Sequence, residues 1–211
     1  MHVIEQRSLF SPIGAASTTV ERLDLGDGEV VYFPEFFPWP DGDRLLADLD
    51  ETTVWRQETL KMYGKEMPIP RLTAWYGEPG RLYSYSKIQM EPERWTPALL
   101  EIKTRVEEQT AVAFNSVLLN LYRDGKDSVA WHSDDEPELG PSPTIASVSF
   151  GATRKFQLRS KDDRSLRHDL QLTHGSLLIM QRAIQRTWQH QVPKTSRQVE
   201  PRINLTFRTI G

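Results

Sequence analysis

The stretch Arg202-Ile203-Asn204-Leu205-Thr206-Phe207-Arg208, near the end of the chain, alternates strictly between polar and apolar residues. Successive side chains of a β-strand point to opposite faces, so the three apolar residues share one face and the four polar residues share the other. An edge strand with a solvated face is the simplest interpretation. Two arginines separated by short hydrogen-bonding residues favour a polar groove instead, because a guanidinium group binds a carboxylate through paired hydrogen bonds.

The rest of the chain predicts two helices followed by a series of strands. One helix begins near Asp41, and a second begins at Pro97 after a Thr96 cap and continues through Glu108. Beyond residue 115 the hydrophobic pattern changes to a period of two. The predicted strands lie near 117–123, 128–132, 144–150, 155–159, 169–172, 176–181 and 202–208. This order indicates an α+β fold, mainly β, with the helices against one side of an antiparallel sandwich or barrel.

The N-terminal part of the chain predicts little regular structure. Residues 1–29 are rich in Ser, Thr, Gly and acidic side chains and are expected to form an irregular, peripheral extension, followed by a short strand at 30–33. Aromatic residues interspersed with Pro and Gly over 55–86 predict loops and a hairpin. The N-terminus lacks the pattern of a signal peptide and no apolar run is long enough for a membrane span, so we expect a cytoplasmic protein, or a nuclear one in a eukaryote.

Composition limits the possible chemistry. The 211 residues fit one large domain or two small ones, and they include no cysteine. Disulfides, cysteine-ligated zinc, iron–sulfur clusters and thiol nucleophiles are therefore excluded, and any metal must be bound by His, Asp or Glu. The net charge changes from −7 over residues 1–50 (3 basic, 10 acidic) to +8 over 151–211 (12 basic, 4 acidic). The basic part suggests a polyanionic partner, although charge pairing within one domain explains the gradient equally well.

The segment His132-Ser133-Asp134 places two potential metal ligands two residues apart, so on a strand both side chains point the same way. His190 is a candidate third ligand, with an ordinary histidine at a strand end as the alternative interpretation. His174 is a rival third ligand, although its neighbours predict a strand that enters a turn. Two histidines and one carboxylate on one face of an ion form the facial triad of non-haem iron oxygenases, which leaves positions for a co-substrate and oxygen.

These motifs resemble those of the AlkB family of 2-oxoglutarate- and iron(II)-dependent dioxygenases, which dealkylate nucleic acid bases. The final heptapeptide is the most specific part, and Asn120-x-Tyr122 lies upstream of it. The resemblance is strongest to family members that prefer single-stranded DNA and RNA. It is carried by Arg71–Gly77, Asn120–Arg123, Trp131–Pro137 and Ser149–Arg154. The similarity extends from about residue 30 to the end of the chain, and residues 1–29 lie outside it.

The resemblance implies a fold and a metal. The fold is a double-stranded β-helix, or jelly roll, formed as a single domain by residues 30–211, with base-recognition loops at about 55–90. The implied metal is iron(II), bound by His132, Asp134 and His190.

The resemblance also implies how the co-substrate is bound. Arg202 would hold the distal carboxylate of 2-oxoglutarate, and Arg208 would lie near the metal and Asp134. The two arginines are about 20 Å apart along an extended strand, so they cannot easily hold the same carboxylate. The side chains expected to assist Arg202 are Asn120, Tyr122, Asn204 and Thr206.

The implied activity is oxidative demethylation of N-alkylated bases such as 1-methyladenine and 3-methylcytosine, which directly reverses alkylation damage. 2-Oxoglutarate and O2 are the co-substrates, and succinate, CO2 and formaldehyde are the products. A ring-methylated base is cationic, so carboxylates and aromatic faces are expected to select it. The residues expected at the substrate are Asp135, Glu136, Tyr76, Tyr83, Tyr85 and Arg71, whereas Trp75 is expected in the core.

The implied partner is alkylated DNA or RNA, in single-stranded form, because an unpaired base costs least to extrude. We expect a monomer without membrane contact. The basic segment over 154–167 would bind phosphates, or simply form an exposed hairpin face. Two other functions stay open at this point: a related oxygenase that hydroxylates a protein or a small molecule, and a nucleic-acid-binding module with a degenerate metal site.

Overall fold

The structure is a computed structural model, which describes residues 19–62, 65–79, 83–85, 88–90 and 92–211. Only the backbone is described at 61–62, 65, 83–85 and 88–90. The helices are α1 (Trp39–Thr52), α2 (Pro97–Thr110) and α3 (Ile184–Thr187). The strands are β1 (Glu21–Leu25), β2 (Gly28–Phe33), β3 (Thr59–Met62), β4 (Lys65–Pro68), β5 (Leu72–Gly77), β6 (Tyr83–Tyr85), β7 (Ile88–Met90), β8 (Ser116–Tyr122), β9 (Val129–His132), β10 (Ile145–Gly151), β11 (Arg154–Ser160), β12 (Arg167–Leu172), β13 (Ser176–Arg182), β14 (Trp188–Val192) and β15 (Arg202–Arg208).

Most strands belong to two antiparallel sheets. The major sheet has the order β1-β2-β13-β10-β15-β8-β5, and the minor sheet has the order β12-β11-β14-β9. A cluster of buried apolar residues contains members of both sheets, among them Tyr122, Phe156 and Leu178, so the sheets pack face to face. Two hairpins, β3–β4 and β6–β7, lie outside the sheets. The predicted fold, mainly β with a jelly-roll core, is confirmed.

The two long helices cover the other face of the major sheet. Leu45 and Leu49 of α1 and Ile102 of α2 are completely buried in a second apolar cluster, which also contains Leu205 and Phe207 of β15. The apolar face of β15 therefore packs against the helices, as its alternation predicts. No helix in the described part of the chain is both long enough and apolar enough to cross a membrane.

The α2 helix begins as the sequence predicts. The Oγ1 atom of Thr96 accepts a hydrogen bond from the backbone N–H of Leu99 over 3.3 Å, and Pro97 occupies the first turn. Ala111 ends the helix in a left-handed conformation with φ of 55°. This cap fixes the position at which the chain turns from α2 into β8.

Several strands of the described residues, among them β1, β5 and β14, form where the sequence did not predict them. Residues 1–29 are predicted to be irregular, but β1 lies within them and pairs with β2 across a turn at Gly26, whose φ is +76°. Charged side chains dominate β1 and conceal its alternation. In the segment predicted as loops and hairpin, β5 forms an edge of the major sheet that is buried on both faces, so its sequence lacks a polar face. The third, β14, has only five residues.

Candidate active site

A cavity lies between the two sheets, and both sheets contribute side chains to it. The polar faces of β8 and β15 form one wall, and residues of β9, β11 and β14 form the other. The polar groove predicted from the alternation of β15 is therefore present, enclosed by the second sheet. Its polar lining consists of Arg71, Asn120, Tyr122, His132, Asp134, Ser147, His190, Arg202, Asn204, Thr206 and Arg208.

Three potential metal ligands converge in this cavity. His132 of β9 and His190 of β14 are register partners, and their ring centroids lie 4.2 Å apart. The ligand atoms of these two residues and of Asp134 all lie within 4.8 Å of one another. The Nδ1 atom of His132 lies 2.8 Å from the carbonyl oxygen of Ala130, and this hydrogen bond leaves Nε2 to bind a metal. The arrangement is that of a facial triad.

Arg208 holds the carboxylate of Asp134. Its Nη2 atom donates to Oδ1 over 2.6 Å. The other oxygen, Oδ2, lies 3.8 Å from Nε2 of His190 and is buried without a hydrogen-bond partner among the described residues. A buried carboxylate oxygen without a hydrogen-bond donor is costly, and a metal bound jointly with the two histidines would satisfy it.

The protonation states of the triad suit metal binding. Burial raises the pKa of the Asp134 carboxyl, but Arg208, His190 and His132 together outweigh burial and hold this pKa well below its usual range. Burial lowers the pKa of the His190 imidazole to about 3. Near neutral pH the cavity therefore offers an ionised carboxylate and a neutral imidazole, which are the forms that bind metal ions.

Arg202 provides a second, separate charge in the cavity. The side chain is 1% exposed, and its Nη2 atom donates to Oγ of Ser149 over 2.9 Å. The Nε and Nη1 atoms are buried and have no hydrogen-bond partner among the described residues. Burial lowers the pKa of Arg202 to about 10, so the group is still positively charged at neutral pH. A buried guanidinium with two unused donors matches a carboxylate ligand.

Tyr122 and Asn120 lie beside this charge. The Arg202 guanidinium is 5.1 Å from the centre of the Tyr122 ring. The Oδ1 atom of Asn120 accepts from Nε of Arg71 over 2.7 Å, which leaves the amide N–H groups of Asn120 as donors for a ligand. Arg71 also donates to the carbonyl oxygen of Ser128 over 3.3 Å, and it lines the cavity while being 5% exposed. Arg71 thus orients Asn120 from inside the wall.

Asn204 has a different role in the wall. Its Nδ2 atom donates to Oγ of Ser147 and to the carbonyl oxygen of Val148, both over 2.8 Å. Its Oδ1 atom accepts from the hydroxyl of Thr206 over 3.3 Å. Both amide hydrogens are therefore used within the protein, so Asn204 orders the wall instead of offering a free donor to a ligand.

The residues predicted to contact substrate do not all reach the cavity. The side chain of Asp135 is 58% exposed, and Oδ2 accepts from Nζ of Lys161 over 3.0 Å. One carboxylate oxygen of Glu136 is buried without a hydrogen-bond partner among the described residues. The stacking role predicted for Tyr76 is wrong, because its ring is 3% exposed in the helix-side core and its hydroxyl accepts from the N–H of Val54 over 3.3 Å.

The structure places the other aromatic residues, Trp75, Tyr83 and Tyr85, in different ways. Trp75 lies in the core, as expected, where its Nε1 atom donates to Oγ of Ser116 over 2.6 Å. Tyr83 and Tyr85 belong to β6, but their side chains lie outside the described part of the structure.

His174, the rival third ligand, lies away from the triad. Its ring stacks on Trp39 at 4.8 Å between centroids, and Nδ1 accepts from the backbone N–H of Gly151 over 2.9 Å. Some residues that contact the functional groups were not predicted, among them Ser149, which binds Arg202, and Gln185, which binds the backbone N–H of Asp134. Ser149 could have been found, because it lies in a predicted strand on the same face as the other polar residues. Gln185 carries no comparable sequence signal.

Comparison with known proteins identifies the family. The 2OG-Fe(II) oxygenase superfamily matches residues 29–208 of the chain. A mouse protein named alpha-ketoglutarate-dependent dioxygenase alkB homolog 3 is 47% identical over 217 residues, which cover 99% of this chain and 72% of the relative. The chain belongs to the AlkB family.

Further relatives agree with membership of the AlkB family. The human alkB homolog 3 is 48% identical over 99% of this chain and 72% of its own length. The mouse DNA oxidative demethylase ALKBH2 is 37% identical over 95% of this chain and 90% of its own length. A solved structure entitled "The structure of OsALKBH1" superposes with a TM-score of 0.66 over 90% of the chain and 100% of its own, at 15% identity, which shows the fold alone. Since the alignments reach 99% of the chain, the prediction that residues 1–29 lie outside the similarity is wrong.

As an AlkB protein, the chain is a dioxygenase that uses iron(II) and 2-oxoglutarate. The predictions of the enzyme class and of these cofactors are confirmed. Two observations on the described residues agree with them: the unpartnered Oδ2 of Asp134 beside two histidines matches a divalent iron, and the unused donors of Arg202 match the distal carboxylate of 2-oxoglutarate.

Proposed function

We propose that this protein oxidatively demethylates N-alkylated nucleic acid bases of the 1-methyladenine and 3-methylcytosine type. One 2-oxoglutarate and one O2 are consumed for each methyl group, and succinate, CO2, formaldehyde and the unmodified base are formed. The observation that carries the proposal is the enclosed cavity in which a His-Asp-His triad and a buried, half-satisfied arginine face the same space. The relatives named DNA oxidative demethylase support the choice of nucleic acid as substrate.

The protein's own part in the reaction is to position the iron and 2-oxoglutarate and to exclude water. His132, Asp134 and His190 would hold the iron, which when bound supplies the oxidative chemistry together with 2-oxoglutarate and O2. Arg202 would bind the distal carboxylate of 2-oxoglutarate through its two unused donors. Arg208 would keep the Asp134 carboxylate ionised and fixed in one orientation. The surrounding apolar side chains of the two sheets keep bulk water from these charges.

Asp135 is well placed to recognise the base. It directly follows the proposed metal ligand in the chain, yet its side chain is exposed, so it lies where a substrate can approach the metal. Lys161 binds one of its oxygens and leaves the other as an acceptor for the exocyclic amine of a base. A carboxylate favours a base that carries a positive charge, and only the methylated form of adenine or cytosine does so near neutral pH.

A basic surface on the minor sheet supports a polyanionic substrate. The guanidinium of Arg159 lies 4.1 Å from the centre of the Trp131 ring, on the strand that carries His132. Burial lowers the pKa of Arg159, and repulsion from Arg164 and Arg167 lowers it further. The three positive charges therefore lie near one another. Like charges gathered at one place favour binding of phosphates. We further propose a single-stranded substrate, since unpaired bases cost least to extrude.

The proposed function is tested with a single-stranded DNA oligonucleotide that carries one 1-methyladenine. With iron(II), 2-oxoglutarate and ascorbate in air, we expect mass spectrometry to show loss of one methylene mass unit and equimolar formaldehyde. The same mixture without oxygen, or with the His132→Ala variant, is expected to leave the methyl group in place. Steady turnover of 2-oxoglutarate with no loss of methyl from DNA or RNA oligonucleotides would refute the nucleic acid substrate and favour hydroxylation of another molecule.

The Asp135→Ala variant is expected to separate base recognition from co-substrate turnover. Loss of one charge-assisted hydrogen bond at an exposed position should raise KM for the methylated oligonucleotide about tenfold. The slow decay of 2-oxoglutarate without oligonucleotide should be unchanged, because Asp135 does not contact Arg202. Both rates are measured by succinate formation.

Asp48→Ala is the matched control, because Asp48 is an exposed aspartate on α1 whose carboxylate pairs with Arg44 on the same helix. It should leave both rates unchanged. An equal loss of both rates in Asp135→Ala would contradict the assignment of Asp135 to the substrate.

A further inference from the structure

The segment 133–135, which carries the proposed metal carboxylate, is attached to the rest of the protein at each of its three residues. The hydroxyl of Ser133 donates to the carbonyl oxygen of Trp188 over 2.9 Å. The backbone N–H of Asp134 donates to Oε1 of Gln185 over 3.0 Å, and Asp135 accepts from Lys161. The partner of Asp134 lies in α3, the partner of Ser133 begins β14, and Lys161, the partner of Asp135, is itself bound to α3. The segment therefore has little freedom to rotate.

Gln185 is the central member of these attachments. Its side chain is 2% exposed although it is polar, and burial of an amide is costly unless its hydrogen bonds are made. Besides the bond to Asp134, its Nε2 atom lies 3.6 Å from the sulfur of Met180, which is a weak acceptor. Its backbone carbonyl oxygen accepts from Nζ of Lys161 over 2.9 Å. The main strong contact of this buried side chain is thus with the backbone of the metal ligand.

The contact with Gln185 restrains the backbone of Asp134, whereas Arg208 restrains its side chain. Arg208 binds Oδ1 of the carboxylate, which limits rotation of the side chain only if the backbone that carries it is itself held. Gln185 holds that backbone through the peptide N–H. Together the two bonds direct Oδ2 toward Nε2 of His190. Residues that orient a ligand in this way typically change metal affinity 10- to 100-fold when replaced.

We propose that Gln185 is a positioning residue that sets the affinity of the site for its metal by fixing the backbone of Asp134. The inference deepens the proposed function, because it rests on His132, Asp134 and His190 as the metal ligands. It assigns Gln185 no contact with the metal or the substrate.

The test is a titration of the protein with Co(II), followed by calorimetry and by the visible absorption of the bound ion. Gln185→Met removes the acceptor at similar volume, and it should weaken Co(II) binding about tenfold and change the absorption bands. Gln185→Glu retains an oxygen acceptor of the same reach and should bind Co(II) within about threefold of the wild-type protein. Gln181→Met is the matched control, because Gln181 binds Glu29 at the end of β13. It should bind Co(II) like the wild-type protein.

Several outcomes would overturn the proposal. Wild-type Co(II) affinity and spectrum in Gln185→Met would do so, and so would an equal loss in Gln185→Glu, since the acceptor is then irrelevant. If circular dichroism shows that Gln185→Met does not fold, the test uses Gln185→Asn instead. This variant keeps the amide but shortens the side chain by one methylene, so it must show the same loss of Co(II) affinity. Co(II) binding is read without turnover, so it decides this proposal even if the wild-type protein fails to demethylate the oligonucleotide.

Discussion

Asp134→Asn is expected to abolish demethylation of the 1-methyladenine oligonucleotide, with kcat reduced by at least about a thousandfold, since bound metal contributes several kcal/mol to such reactions. The amide has no charge to offer the metal. It also leaves the guanidinium of Arg208, which is 4% exposed, opposite a neutral group. The measurements are mass spectrometry of the oligonucleotide and Co(II) titration, in which affinity should fall together with activity.

A matched substitution separates loss of the metal from loss of stability. Asp127 is also buried, at 4% exposed, and its carboxylate binds the guanidinium of Arg123. Asp127→Asn should therefore lower the thermal midpoint of unfolding while leaving Co(II) affinity unchanged. Wild-type Co(II) affinity in Asp134→Asn would contradict the assignment of Asp134 as a metal ligand.

The sequence could predict those parts of the site that follow from local periodicity. The strict alternation over β15 places Arg202 and Arg208 on one face, and the two-residue spacing of His132 and Asp134 predicts that both side chains point the same way, although β9 ends at His132. Both inferences need only the geometry of one extended segment. The alternation also shows which face is apolar, and that face packs against α1 and α2.

Other features depend on contacts between distant segments, so local periodicity does not predict them, and the His132–His190 pair was expected only from the facial-triad hypothesis and the family resemblance. His132 and His190 meet because β9 and β14 pair with an irregular register between His190 and Val192, and no local pattern encodes that register. The same holds for Gln185, which reaches Asp134 only because α3 lies beside the metal segment. An aromatic residue is equally suited to a core and to a base-stacking surface, which is why Tyr76 was assigned to the wrong one.

Arg202→Ala is expected to raise KM for 2-oxoglutarate about a hundredfold, because a buried carboxylate would lose a charge-assisted pair of hydrogen bonds worth about 1.5–3 kcal/mol. Arg202→Lys keeps the charge but cannot offer the planar pair of donors, so it should fall between alanine and the wild type. KM is measured from succinate formation at saturating oligonucleotide.

Arg202 and the triad should be separable by experiment, because they occupy different parts of the cavity. In Arg202→Ala the Co(II) affinity should be unchanged, since no ligand atom of His132, Asp134 or His190 bonds to Arg202. Arg197→Ala, at an exposed arginine in the loop before β15, is the control and should leave both quantities unchanged. If Arg202→Ala weakened Co(II) binding as much as Asp134→Asn does, the arginine would support the metal site itself. The co-substrate would then have to be anchored elsewhere, because Arg208 already binds Asp134 and Arg71 already binds Asn120.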